Sequence, residues 1–238
     1  MVKKIIVSVK LTAVFLVLVG ALHAQAKNAD KQSKQEWQEN FDVNKANLAS
    51  TGKNPYFVLE PGYSLHYRHE KENLTITVLN ETKIIDGVET SVVEERETNE
   101  GQLVEISRNY YAIDRTNDSV YYFGEDVNDY NDGKVVGHGG SWLAGVNGNR
   151  FGLMMPGKPK AGYKYYQELA PKVAMDRAEI VSVDEKVTTS FGSYEHCLHI
   201  KDGSAIEKGT DDKWYVPGIG LIKDAEYELV KSGRSNNR

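Results

Sequence analysis

One cysteine, Cys197, and only six prolines occur in 238 residues. A lone thiol excludes an internal disulfide framework and any cysteine-rich zinc or iron–sulfur centre. Positive charge is also in deficit, with 29 Lys and Arg against 34 Asp and Glu and a formal net charge of −5, which counts against a nucleic-acid partner. Helix signals are nearly absent beyond a possible turn at Pro171–Arg177. No Gly-x-Ser-x-Gly elbow is present, and no glycine-rich stretch ends in the Gly-Lys-Ser/Thr of a phosphate loop. What the chain does have is 21 Gly and 10% aromatics, among them 14 Tyr, which excludes a disordered or low-complexity polymer. Its length suits one large domain or two small ones with a real core.

Residues 1–26 read as a secretory leader: Lys3 and Lys4, an apolar run from Leu11 to Leu22, and the small-x-small pattern Ala24-Gln25-Ala26, with cleavage expected after Ala26. Lys10 bounds the run and Gly20 interrupts it, and it is short for a membrane span, so no span is expected in the mature chain. No cysteine stands near the cleavage point to accept a lipid. Loss of three lysines would leave about 212 residues with a charge of about −8. The expected location is periplasmic or secreted, and in such an oxidising compartment Cys197 is expected to be buried.

Residues 27–53 are polar, with only Trp37, Phe41 and Val43 as apolar anchors, and read as an N-terminal extension. The β-rich domain is expected over residues 54–230 and a disordered tail over 231–238. Alternating runs at Tyr63–Lys71, Leu74–Ile85, Val88–Thr98, Leu103–Asp114 and Ser119–Asp129 are separated by turn residues, as in an antiparallel meander. Further strands are expected at Tyr163–Leu169, Ala178–Thr188, Tyr194–Lys201, Lys213–Val216 and Leu221–Leu229.

Hairpin tips fix which side chains share a face. Tips at Glu72-Asn73, Asp86-Gly87, Glu100-Gly101 and Thr116-Asn117 place Tyr67, Val78, Val93, Ile106, Tyr110, Phe123 and Val127 on one apolar face. Asn80, Glu95, Arg108 and Glu125 interrupt that face, with Arg108 directly opposite Glu125 and diagonal to Glu95. A guanidinium can bind two carboxylates at once. The interruption therefore reads as a self-neutralising ion network, or as a polar floor that orients a ligand head group. An acid and base pair is disfavoured, because a central Arg would hold both carboxylates ionised. No catalytic residue is assigned.

Residues 137–157 form a glycine-rich stretch carrying Trp142, Phe151, Leu153, Met154 and Met155. It reads either as a loop plugging one end of the core or as a lid over a ligand cavity. His196 and His199, and likewise His66 and His69, are three apart and fall on opposite faces of a strand, so no metal site is expected. The acidic run Asp126–Gly133 lacks the spacing of a calcium loop and reads as a hairpin tip. No cofactor is expected.

Several stretches carry a resemblance: Asn54-Pro55-Tyr56-Phe57-Val58-Leu59-Glu60-Pro61-Gly62, Val93-Glu94-Glu95-Arg96-Glu97-Thr98, Tyr122-Phe123-Gly124-Glu125-Asp126-Val127, Met154-Met155-Pro156-Gly157-Lys158-Pro159, and the ending Trp214 to Lys223. Together they resemble a family of secreted bacterial proteins of unknown function over about Asn54 to Asp224. The resemblance brings no activity and no catalytic residue. The ending is also similar to the closing hairpin of secreted β-rich proteins, some of which resemble the open half-barrels of periplasmic lipoprotein carriers. That implies a curved sheet around an apolar cavity.

The expected architecture is all-β and antiparallel, a meander curved into a half-barrel or flattened barrel of about ten strands. The leading expectation is a non-enzymatic binding protein for a small or lipid-like ligand or a cell-envelope partner. Its contacts would be Asn80, Glu95, Arg108, Glu125, Tyr110, Phe123, Trp142, Met154 and Met155. The alternatives are an envelope hydrolase using the paired carboxylates and a purely structural surface protein.

Overall fold

A computed structural model describes residues 36–234. The leader and its cleavage point lie outside the described residues, as do the last four positions. Short strands come first: β1 (Leu48–Ala49), β2 (Gly52–Asn54) and β3 (Phe57–Leu59). The long meander is β4 (Tyr63–His69), β5 (Glu72–Ile85), β6 (Val88–Asn99), β7 (Gln102–Asp114) and β8 (Val120–Asn131). The glycine-rich stretch supplies β9 (Lys134–Gly137), β10 (Trp142–Leu143) and β11 (Arg150–Met155). The second half holds β12 (Lys164–Tyr166), β13 (Glu168–Leu169), β14 (Asp176–Thr189), β15 (Gly192–Ser204), β16 (Thr210–Val216), β17 (Gly220–Asp224) and β18 (Tyr227–Arg234). One 3-10 turn, Lys45–Asn47, is the helical element among the described residues, and no helix there is long and apolar enough to cross a membrane.

Thirteen strands follow one hydrogen-bonded path, β12-β14-β15-β16-β17-β18-β4-β5-β6-β7-β8-β11-β13. Its two ends, β12 and β13, are consecutive in the chain and separated by Gln167 alone, so the antiparallel sheet curls into a nearly closed barrel. Closure matters physically because it leaves little open strand edge. The path exceeds the expected ten strands for three reasons. The glycine-rich stretch contributes a wall strand, the expected Tyr163–Leu169 run divides into β12 and β13 at Gln167, and the expected Leu221–Leu229 run breaks where Ala225 takes φ 50°. The extension contributes structure too, since β1 pairs with β7 and Gln38 bonds to Lys164 and Tyr166 along the free edge of β12.

Tight tips sit at Asp86-Gly87 and Glu100-Gly101, where both residues have positive φ, the geometry that matches strand twist in two-residue hairpins. The first hairpin turns at Glu70-Lys71 rather than Glu72-Asn73, so Tyr67 pairs with Leu74, not Val78. That shift preserves the face.

Three bulges do more. In β5, residues 79–81 oppose Val92 alone, between the pairs Val78↔Val93 and Thr82↔Ser91. In β7, Val104 is extra between Thr98↔Leu103 and Glu97↔Glu105. In β8, Phe123 and Gly124 share one partner between Tyr111↔Tyr122 and Asn109↔Glu125. A single extra residue sends every following side chain to the other face, so the bulge at Val104 inverts β7 and the one at Gly124 restores β8.

The inner face of these strands is therefore Val78, Val93, Glu95, Ser107, Asn109, Tyr111, Tyr122, Glu125 and Val127, not the expected set with Ile106, Arg108, Tyr110 and Phe123. Phe123 and Tyr121 are buried all the same, in a second layer outside the barrel where Phe151 and Phe41 cover them. Each such aromatic contributes about 1.5–3 kcal/mol through burial. Cys197 is fully buried, and desolvation raises its thiol pKa.

Candidate binding cavity

Inside the barrel lies an apolar cavity of about 110 Å³. Leu74, Ile76 and Val78 from β5, Val93 from β6, Tyr111 from β7 and Met154 from β11 line one side, and Tyr215 and Leu221 close the other. The β2–β3 hairpin covers its end with Tyr56, Phe57 and Val58. That cover is pinned by Asn54, 1% exposed, whose side-chain amide donates to the carbonyls of Asp118 at 2.8 Å and Pro156 at 3.1 Å. Gly218 N–H donates to the Pro55 carbonyl at 2.7 Å. Tyr67 donates to the Leu221 carbonyl at 2.9 Å, tying β4 to β17 beside the cavity.

One pole of the cavity is polar and carries Glu95, Lys213 and Asp224. Lys213 Nζ lies 3.0 Å from Asp202 Oδ2 and 3.4 Å from Asp224 Oδ2. Burial alone would lower the lysine pKa, but the two carboxylates hold it well above its usual value. Burial raises the Asp202 pKa despite that lysine. One row further along, burial and then the charges of Glu105, Glu95, Glu72 and Asp224 push Glu97 up to about 7.

Beyond the cavity wall, polar groups continue along the inner face. The Tyr122 hydroxyl donates to Asn109 Oδ1, whose amide donates to Ser107 Oγ at 3.2 Å. Tyr122 stacks on Tyr111 with centroids 4.7 Å apart and meets Trp142 edge-on at 5.5 Å.

Of the sequence-derived contacts, Glu95 and Met154 line the cavity. Glu125 and Trp142 are paired across β8 and β10 and buried on the same inner face, outside the cavity lining. The others are not brought together. Asn80 sits exposed in the β5 bulge. Arg108 stands on the outer wall, 3.1 Å from Glu81 and 3.5 Å from Glu94. Tyr110 faces outward as well, where its hydroxyl donates to Asp126 Oδ2 at 2.5 Å and receives Lys83 Nζ at 3.1 Å. Phe123 belongs to the outer layer, and Met155 is fully buried in the packed β11.

The glycine-rich stretch is wall and plug. A Cβ on Gly152 would lie 2.3 Å from the Gln167 carbonyl, so this glycine permits strand closure. Lys213, Asp202 and Asp224 were missed by the sequence reading. The signal for them is the alternation that sets Lys213 on the same face as Tyr215, across β16 from Trp214.

A larger cleft of about 280 Å³ opens on the outer wall, lined by Trp37, Arg177, Glu179, Lys201, Glu207 and Thr210 among others. Apart from Trp37, its lining is polar, charged or glycine. Arg177 already covers the Trp37 ring at 4.4 Å. No group of three or more His, Cys, Asp and Glu able to hold a metal ion occurs among the described residues.

No family model matches the chain, and no curated protein does. Among solved structures, a putative lipoprotein from Parabacteroides distasonis ATCC 8503 aligns with a TM-score of 0.35 and 11% identity, over 76% of this chain and 100% of that one. A likeness that slight bears on neither fold nor function.

Proposed function

We propose that this protein is a secreted or envelope-located binding protein that takes a small apolar group into the barrel cavity beside the Glu95–Lys213–Asp224 pole. The observation that carries the reading is the apolar cavity with charged groups at one pole, the arrangement that orients a small ligand. The secretory leader pattern supports the location. At about 110 Å³ the space is smaller than the roughly 150 Å³ cavity that holds a benzene ring. The buried part of the ligand is therefore a body of about four carbons rather than a whole lipid chain.

The test is a titration of methionine-methyl-labelled protein with butan-1-ol, read by NMR at Met154. A saturable shift at Met154, with Met175 unmoved, is expected in the wild type and is lost in Val93→Phe, which fills the space. The milder Val93→Ile should weaken binding in between. No shift at Met154, or a shift equal in all three proteins, would overturn the reading.

A further inference from the structure

The polar pole of the cavity has a sign. Glu95 and Asp224 line it, Asp202 and Glu97 stand beside them on the same inner face, and Lys213 is the one cation among these groups. That ammonium is already engaged by Asp202 and Asp224 at 3.0 and 3.4 Å, which makes it a poor anchor for an incoming anion. Each charged group that acts on Glu97 is another carboxylate. The field there is negative.

A second observation points the same way. Asp202 Oδ1 is buried without a hydrogen-bond partner among the described residues, and so is the hydroxyl of Tyr165, a side chain with no exposure at all. Tyr165, Ala178 and Asp202 are successive partners across β12, β14 and β15, so both atoms belong to one cross-strand row of the inner wall. Neither residue lines the cavity, but the unsatisfied Asp202 oxygen, whose other oxygen already takes Lys213, adds acceptor capacity rather than a spare cation to this wall.

We propose that the cavity selects a cation, a primary amine on a short alkyl body, with the body against Val78, Val93 and Met154 and the ammonium between Glu95 and Asp224. The inference rests on the cavity being a ligand site and adds the charge of the ligand. An ammonium offers three donors to a pole rich in acceptors, a hydroxyl offers one, and a carboxylate offers none and meets like charge.

Three probes of equal length separate these cases: butylamine, butan-1-ol and butyrate, titrated into the wild-type protein at low ionic strength and about pH 8, above the Glu97 value of about 7 and where the free amine is charged. Butylamine should bind about tenfold more tightly than butan-1-ol, a difference of about 1.4 kcal/mol, and butyrate most weakly. Glu95→Gln and, separately, Asp224→Asn should each cut butylamine affinity about fivefold and butan-1-ol affinity by clearly less, so that the amine-to-alcohol ratio falls. Equal affinity for amine and alcohol, or tighter binding of butyrate, would overturn the cationic selectivity while the cavity reading stands. If none of the three moves the Met154 methyl, the cavity reading fails and this inference goes with it.

Discussion

Arg108 lies directly across from Glu94 on the outer wall of the barrel, and its Nε reaches Glu94 Oε2 at 3.5 Å while Glu95, one residue on, points inside. The extra residue Val104 causes this, because it turns β7 over before Arg108 is reached. Both Arg108 pairs are partly solvated, with 42% of the arginine side chain exposed. Surface pairs of this kind contribute little. Arg108→Ala should therefore cost under about 1 kcal/mol in urea unfolding and leave cavity binding intact. A loss of about 3–5 kcal/mol would instead indicate a buried ion network.

Gly124 makes the second inversion. Its φ is 131°, and a Cβ there would lie 2.3 Å from the Trp142 carbonyl oxygen. Backbone cannot retreat as a flexible side chain can. Gly124→Ala should destabilise the fold by about 2–4 kcal/mol, through backbone strain and displacement of β10 together, visible as a lowered unfolding midpoint.

Lys213 holds apart the consequences of two inward carboxylates. With Lys213→Met, Asp202 and Asp224 are left sharing the inner wall without their cation, at a cost of about 3–5 kcal/mol near neutral pH. The deficit should shrink in acid as Asp202, whose pKa burial raises, takes up its proton. Urea unfolding of wild type and variant across that range checks both parts, and a deficit independent of pH would show that packing, not charge, is what the lysine supplies.

Glu97 gives a stability profile with a defined sign. Its pKa rises from the ordinary 4.5 to about 7 in the folded chain. Between those values the folded protein keeps a proton that the unfolded chain has released, so stability falls as pH rises through that window. Below the window the site costs nothing, and above it the full cost is present. Glu97→Gln should match the wild type in acid and be more stable by about 1–2 kcal/mol above neutrality, less than the full shift implies because the side chain is partly solvated. Thermal unfolding at a series of pH values reads this directly.

The strands were legible because alternation and turn residues are local: β4 to β8 and β14 to β16 lie close to the runs expected from sequence. Bulges were not. Gly124 is forced by the Trp142 carbonyl and Gly152 by the Gln167 carbonyl, contacts between segments that no local pattern announces. The glycine-rich stretch accordingly suggested hinges, whereas its Gly152 serves close strand approach and its Gly140, Gly145 and Gly148 take the positive φ of turns. The candidate site suffered most where two turn-based registers were extended past a bulge. Glu95 precedes both inversions and Glu125 follows both, so each kept its inner face, whereas Arg108 and Tyr110, lying between the inversions, did not.

The most direct measurement is a crystal structure of the wild-type protein grown with butylamine. The account predicts one molecule inside the barrel, its carbons against Val93 and Met154 and its nitrogen within hydrogen-bond distance of Glu95 or Asp224. Butylamine found at the outer Trp37 cleft alone, or an interior without it at saturating concentration, would contradict the account.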